Sequence, residues 1–265
     1  MHVFSVYWLW NGLQFEPATG FPFSDRGARY GMSIFETLRL RRGLPECLGA
    51  HLERLCQAAQ TCGFHLPEGA LEAVTTLFPI GARDGMARLY VTAGDGGPSD
   101  PAARCRMALF FEERACVVPA SYSVILETEP HLPLFGGLKT ANYWRNAESL
   151  RRARNGGAHE ALLFDPAGIL IGACMANVFL KTAGQWVTPS PACGARTGVV
   201  RAWAMATLGA KEARFKAEEL QQADSVFLTS SWLGVMPVDR IGAQKLPPPP
   251  EEVLNLRAEW DETPK

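Results

Sequence analysis

The chain has 265 residues, of which 47% are hydrophobic and 20% charged, with a formal net charge of −1. That length supports one large or two modest cores, and the near-neutral charge gives no electrostatic reason to expect nucleic acid or an anionic membrane as partner. The seven cysteines are odd in number and never at C-x-x-C spacing, which suggests neither a disulfide framework nor a zinc site and fits a reducing compartment. No segment approaches the roughly 20 apolar residues of a membrane span, and the first residues lack a basic n-region. A cytoplasmic location and no bound metal are the expectation.

The elements read as α/β, more narrowly α+β. An apolar, aromatic run over 3–10 predicts a strand that ends at Asn11-Gly12, a two-residue hairpin signal. Ile34–Leu40 alternates apolar and polar residues, as a half-buried strand does, and turns at Arg42-Gly43. Leu52, Leu55, Ala58, Ala59 and Cys62 recur at helical spacing over 50–62, closed by Gly63. A second helix is expected over 68–78, then strands near 86–93 and 105–112, with a Gly/Pro/Asp loop at 94–101 between them. The pattern weakens around Arg114–Ala120, so a connection at 116–121 is expected to join a domain of 1–115 to one of 122–265. In the second domain a strand is expected at 122–128, a helix from Tyr143 to Arg154, and strands at 159–164, 168–172, 176–181 and 186–188. A helix over 197–208, a strand at 225–229, the rigid Pro247–Pro250 piece and a terminal helix complete it.

Only six of the 26 Lys and Arg residues are lysines, and the first of them is Lys139. Arg stays protonated, whereas a desolvated Lys amine can lose its proton and condense with a carbonyl. Lys139 follows two glycines in an apolar stretch, so it reads either as a reactive amine or as a lysine snorkelling to solvent. A carbonyl cofactor with a phosphate would need an anion site, and three places could supply parts of one. Gly194–Arg201 is a glycine-bearing loop that runs into a helix, where free N–H groups and the dipole favour an anion. Thr229-Ser230-Ser231 offers hydroxyls after a strand, and Arg54 lies on a helix whose other face is apolar. Each taken alone reads first as a cap or a solvated side chain, and only their order in the chain points further.

In sequence order these stretches resemble the class IV, fold-type IV family of pyridoxal-phosphate enzymes. That family includes branched-chain and D-amino-acid aminotransferases and 4-amino-4-deoxychorismate lyase. The matching stretches are Ser24-Asp25-Arg26-Gly27 with Tyr30-Gly31, Ile34–Arg39, His51–Leu55, Gly137–Tyr143, Glu160–Asp165, Ala176–Phe179, Thr188-Pro189 and Gly198–Arg201. Ala176-Asn177-Val178-Phe179 and Met236-Pro237-Val238 are most similar to the lyase. The resemblance implies a two-domain fold, a small N-terminal α/β domain and a larger C-terminal domain with a barrel-like sheet, working as a homodimer. It implies pyridoxal 5′-phosphate as cofactor and an amino acid or aminodeoxychorismate-like molecule as substrate. Lys139 matches the Schiff-base lysine, and Arg54 the arginine that binds the phosphate. Gly198, Val199, Val200 and Ser231 match the rest of the phosphate cup, and Tyr143 the tyrosine near the cofactor's phenolic oxygen. Arg39, with Thr37 beside it, matches a substrate-carboxylate site, since guanidinium can hold a carboxylate through two hydrogen bonds. A strand arginine facing solvent is its other reading.

One departure stands out. The family's glutamate opposite the pyridine nitrogen falls at Gly172, with Ile171 before it. Loss of that carboxylate makes the ring a poorer electron sink, an effect of preorganised charge commonly worth about 10²–10³ in rate. Met32-Ser33, and Thr92-Ala93-Gly94 without the family's arginine, also depart. The expected activity is a lyase or transaminase; the alternative is a catalytically impaired relative that binds cofactor as a regulatory protein.

Overall fold

The computed structural model describes residues 4–102 and 104–262; Val3, at the start of the first predicted strand, lies outside them. The chain forms two compact units. One runs to Val117 and also takes in Leu138–Asn142; the other is Val118–Gly137 with the chain from Tyr143 onward.

The first unit is built on a six-stranded sheet in the order β2-β1-β6-β5-β3-β4. Its strands are β1 (Ser5–Trp10), β2 (Phe15–Pro17), β3 (Ser33–Arg41), β4 (Leu44–Pro45), β5 (Gly85–Thr92) and β6 (Arg106–Glu113), all paired antiparallel. The turn between β1 and β2 is longer than the two residues predicted. Asn11 Oδ1 accepts from the Leu13 and Gln14 amides at 2.8 and 2.9 Å, a side-chain-closed turn that needs four residues. Three helices, α1 (Arg26–Tyr30), α2 (Leu48–Thr61) and α3 (Ala70–Thr76), complete the unit; the last is shorter than the predicted 68–78. The period-two pattern of β3 explains the packing. Ile34, Leu38 and Leu40 point to one face and meet Leu55, Ala58 and Ala59 of α2 in a core shared with Leu89, Val91, Leu109 and Phe111. Phe35, Thr37 and Arg39 therefore take the opposite face.

The 94–101 loop is tied down. Arg26 is buried, and its guanidinium donates to the carbonyls of Ala93, Gly94, Gly97, Asp100 and Pro101. Asp25 accepts from Thr92 Oγ1 and Arg106 Nη1, each at 2.7 Å. A buried cation satisfied by this many carbonyls fixes a loop that composition alone marks only as irregular.

The second unit carries a nine-stranded sheet in the order β12-β11-β10-β13-β14-β7-β8-β9, with β15 on β14. Its strands are β7 (Tyr122–Leu126), β8 (Glu160–Phe164), β9 (Leu170–Ala173), β10 (Asn177–Thr182), β11 (Gln185–Pro189), β12 (Lys211–Ala213), β13 (Ser225–Ser230), β14 (Gly234–Ile241) and β15 (Gln244–Lys245). Although it ends the hydrogen-bonded order, β9 lies against β10 and β11, so the sheet curls towards a half-barrel. Leu162 and Phe164 of β8 fill the inside with Leu170, Val178, Leu228 and Met236. Ala161 and Leu163 point outward to Ala153 of α4 (Trp144–Asn155). The remaining helices are α5 (Val199–Leu208), α6 (Ala217–Gln221) and α7 (Glu251–Glu262).

Strand β14, which the sequence reading did not predict, sits between β13 and β7. A proline counts against a central strand. Pro237 pairs with Phe227 of β13, but β7 joins only from Val238, so at Pro237 the strand is bonded on one side alone.

Candidate active site

The first unit brings one group of predicted residues onto a common face. Leu138–Asn142 runs beside β3: the Phe35 amide donates to the Lys139 carbonyl at 2.9 Å, and the Ala141 amide to the Ser33 carbonyl at 2.8 Å. Lys139 is half-buried, with Nζ 4.0 Å from the centroid of the Phe35 ring. The amine thus lies on the face that also presents Thr37 and Arg39. Arg39 approaches Glu46, 4.0 Å away. Across the ladder, Tyr90 stacks on Phe35 at 5.3 Å, and Arg88 stands opposite Thr37. Arg88 was not singled out in the sequence. Only the register of β3 against β5 reveals it as a second guanidinium on this face, half-buried and, among the described residues, without a side-chain hydrogen bond or ion pair.

Arg54 is anchored on the other side of β3. Glu36 points under α2, where Arg54 grips it through Nε at 2.8 Å and Nη2 at 2.5 Å, and His51 Nδ1 lies 2.7 Å from the same carboxylate. Burial alone would raise the Glu36 pKa. The Arg54 charge and the hydrogen bonds from His51 and Arg54 outweigh it and pull the value down to about 2. Glu36 therefore stays ionised and fixes the guanidinium of Arg54 on its helix.

The second unit assembles another group. Gly198 is the N-cap of α5 and no side chain caps the helix, so its first amides, including those of Val199 and Val200, end at an uncapped positive terminus. A Cβ at Gly198 would fall 2.2 Å from Asn177 Oδ1, which explains the glycine. Asn177 Nδ2 in turn donates to the Arg196 carbonyl at 2.7 Å and holds the loop that leads into α5. Thr229 is the cross-strand partner of Asn177, so their side chains share a face of the sheet. Its hydroxyl is buried and, among the described residues, has no partner. Ser231, the hydroxyl singled out in the sequence, lies in the turn after β13. Tyr143 stands at the N-terminus of α4, and its hydroxyl accepts from Arg196 Nη1 at 2.6 Å.

Gly172 lies in β9 with φ +148, a backbone conformation that side chains rarely adopt. Space is not the constraint: a Cβ there would meet only the Ala176 carbonyl, at 3.4 Å. Nearby, Glu160 is buried and accepts from the Ala161 amide at 3.0 Å and the Met175 amide at 3.1 Å. Burial raises its pKa to about 7 against the lowering effect of those bonds. Among the described residues no cluster of His, Cys, Asp or Glu could hold a metal ion, and no helix is long and apolar enough to cross a membrane.

The family model for amino-transferase class IV matches residues 33–241. An aminodeoxychorismate lyase of Bacillus subtilis is 27% identical over 238 residues, covering 83% of this chain and 80% of the relative. A putative branched-chain-amino-acid aminotransferase of Methanocaldococcus jannaschii is 26% identical over 245 residues, covering 82% and 81%. Among solved structures, an aminotransferase from Brucella abortus bound to the cofactor PLP superposes with a TM-score of 0.82 at 23% identity, covering 97% of this chain and 100% of that one.

The chain belongs to the amino-transferase class IV family. It is a fold-type IV, pyridoxal-phosphate-dependent enzyme, a transaminase or a lyase. The donor sets described fit that cofactor. An uncapped helix start and an unpartnered buried hydroxyl suit a phosphate, and a half-buried amine suits an aldehyde.

Proposed function

We propose that the protein acts on an amino acid or an aminodeoxychorismate-like substrate with Lys139 as the cofactor-bearing amine. The observation that carries this reading is the Lys139 amine held 4.0 Å over Phe35, on the strand face that presents Thr37, Arg39 and Arg88. When bound, pyridoxal phosphate supplies an aldehyde for the amine and a ring that accepts the electrons released with the α-proton. Lys139 Nζ would hold that aldehyde and would serve as the base that moves the α-proton. Arg54, fixed by Glu36, and the amides of Val199 and Val200 bind phosphate, with the hydroxyls of Ser231 and Thr229 as further donors. Arg39, Arg88 and Thr37 orient the substrate carboxylate.

The lyase-like motifs and the Bacillus subtilis relative favour elimination over nitrogen transfer. A reaction that asks less of the ring as electron sink also tolerates Gly172 better. In this reading the enzyme is a cytoplasmic homodimer, with 1–115 as the small domain, 116–121 as connection and 122–265 as the cofactor-binding domain. Exposed Leu132, Phe135 and Trp144 offer apolar surface for a second copy. A second reading, a catalytically impaired cofactor-binding protein, is favoured by one observation, the missing carboxylate at Gly172.

The test is borohydride reduction of the purified protein with pyridoxal phosphate, followed by peptide mass mapping and by turnover of aminodeoxychorismate and of amino donors. Cofactor fixed at Lys139 together with pyruvate release or transamination supports the enzyme. Fixation without turnover above free cofactor selects the impaired relative. Absence of label at Lys139 refutes both.

A further inference from the structure

Arg196 has no role in the reading above, yet its surroundings are unusual for a surface arginine. It is half-buried in the loop before α5, its Nε is buried without a partner, and among the described residues it has no carboxylate partner. Its Nη1 donates to the Tyr143 hydroxyl at 2.6 Å, and its guanidinium carbon lies 5.5 Å from that ring's centroid. The other charged groups nearby do not neutralise it. Arg145 is paired with Glu129 at 2.8 Å, while burial and then the charges of Arg145 and Arg196 lower the pKa of His131.

Guanidinium can only donate, so it occupies an acceptor site of the phenol oxygen and obliges Tyr143 to spend its proton on another acceptor. Beside an uncompensated positive charge, an anionic oxygen is the acceptor most favoured.

We propose that Arg196 is the positioning residue of Tyr143, directing its proton to the phenolic oxygen of the bound cofactor and holding that oxygen as an anion. The inference rests on the Lys139 reading and adds to it a source of positive potential on the phenolic side. Gly172 removes a negative charge from the pyridine side; Arg196 adds a positive one through Tyr143. A cofactor held here would depend more on the positive charge of Arg196, delivered through Tyr143, than on a carboxylate at position 172.

The experiment is a double-mutant cycle on the full-length protein: wild type, Arg196→Met, Tyr143→Phe and both together. Each is titrated with pyridoxal phosphate and read by dissociation constant and by the visible band of the lysine-bound cofactor. Arg196→Met is expected to weaken binding about tenfold, the scale of one hydrogen bond to a charged group, and to shift the band. Arg196→Lys, which keeps a cationic donor, is expected to restore most of both. In the Tyr143→Phe background Arg196→Met should change little. If Arg196→Met does not fold, Arg196→Gln takes its place in the same cycle.

Equal losses in both backgrounds would show Arg196 acting independently of Tyr143 and would overturn the inference. So would an altered substrate KM with affinity and spectrum intact, which would make Arg196 a substrate receptor instead. A wild type that binds normally while Arg196→Met matches it overturns this inference alone. A wild type with no visible band overturns the Lys139 reading and this one with it.

Discussion

Replacing Glu36 by Gln removes the carboxylate that Arg54 and His51 share and leaves a buried histidine and a half-buried arginine facing an amide. In the folded protein that carboxyl titrates at about 2 rather than its ordinary 4.5. At 1.36 kcal/mol for each pH unit, the difference comes to about 3 kcal/mol of stability. The sign follows from proton counts. Between pH 4.5 and 2 the unfolded chain holds a proton that the folded chain lacks, so stability rises with pH through that window. It is fully present above 4.5 and lost as pH falls towards 2. Urea denaturation of Glu36→Gln at pH 7 should therefore show a loss of about 3 kcal/mol, and its stability between pH 4.5 and 2 should vary less than that of the wild type. Because Glu36 also aims Arg54, the variant should bind pyridoxal phosphate more weakly. Unchanged stability at pH 7 together with an unchanged acid slope would refute the claim that this buried pair, rather than the apolar contacts of α2, holds Arg54 in place.

Gly172→Glu should not behave as a simple restoration. With φ at +148 the obstacle is the backbone, so both Gly172→Glu and Gly172→Ala should cost about 1–3 kcal/mol in denaturation; a Gly172→Glu protein as stable as wild type and more active would contradict this. Gly198→Ala forces a Cβ against Asn177 Oδ1 and should cost about 1–3 kcal/mol while weakening inorganic phosphate binding, measured by calorimetry. Glu160, raised to about 7, gives the opposite pH sign from Glu36. The folded state keeps its proton between pH 4.5 and 7 while the unfolded chain releases it, so that stability is complete below 4.5 and falls as pH rises through 7. Glu160→Gln should flatten that slope, whatever its offset in absolute stability.

The strands and helices were legible where a single period governs a segment. Ile34–Leu40 alternates because one face is core and the other is not, and 50–62 repeats at helical spacing because α2 packs one side on β3. β14 was illegible because the proline signal is local, whereas its exemption comes from β7 starting one residue later. Lys139, Arg54 and the 198–200 turn could be singled out from residue type and motif order. Arg88 and Arg196 could not, because what marks them is a neighbour on another element: Thr37 across β3 and Tyr143, 53 positions earlier in the chain; Thr229 was visible only as one of three hydroxyls, and its place opposite Asn177 is what sets it apart. The grip of Glu36 on Arg54 is half visible in the sequence, since Ile34–Arg39 and His51–Leu55 both stand out as motifs but nothing in the sequence pairs them.

The segment Leu138–Asn142 reaches β3 through an isolated bridge between Ile34 and Thr140. All six strands of that sheet, the last ending at Glu113, have been made by the ribosome before residue 138 is added. The N-terminal sheet can thus close first and Lys139 be delivered afterwards to a finished framework, so a nascent chain should acquire its fold there before it acquires that amine.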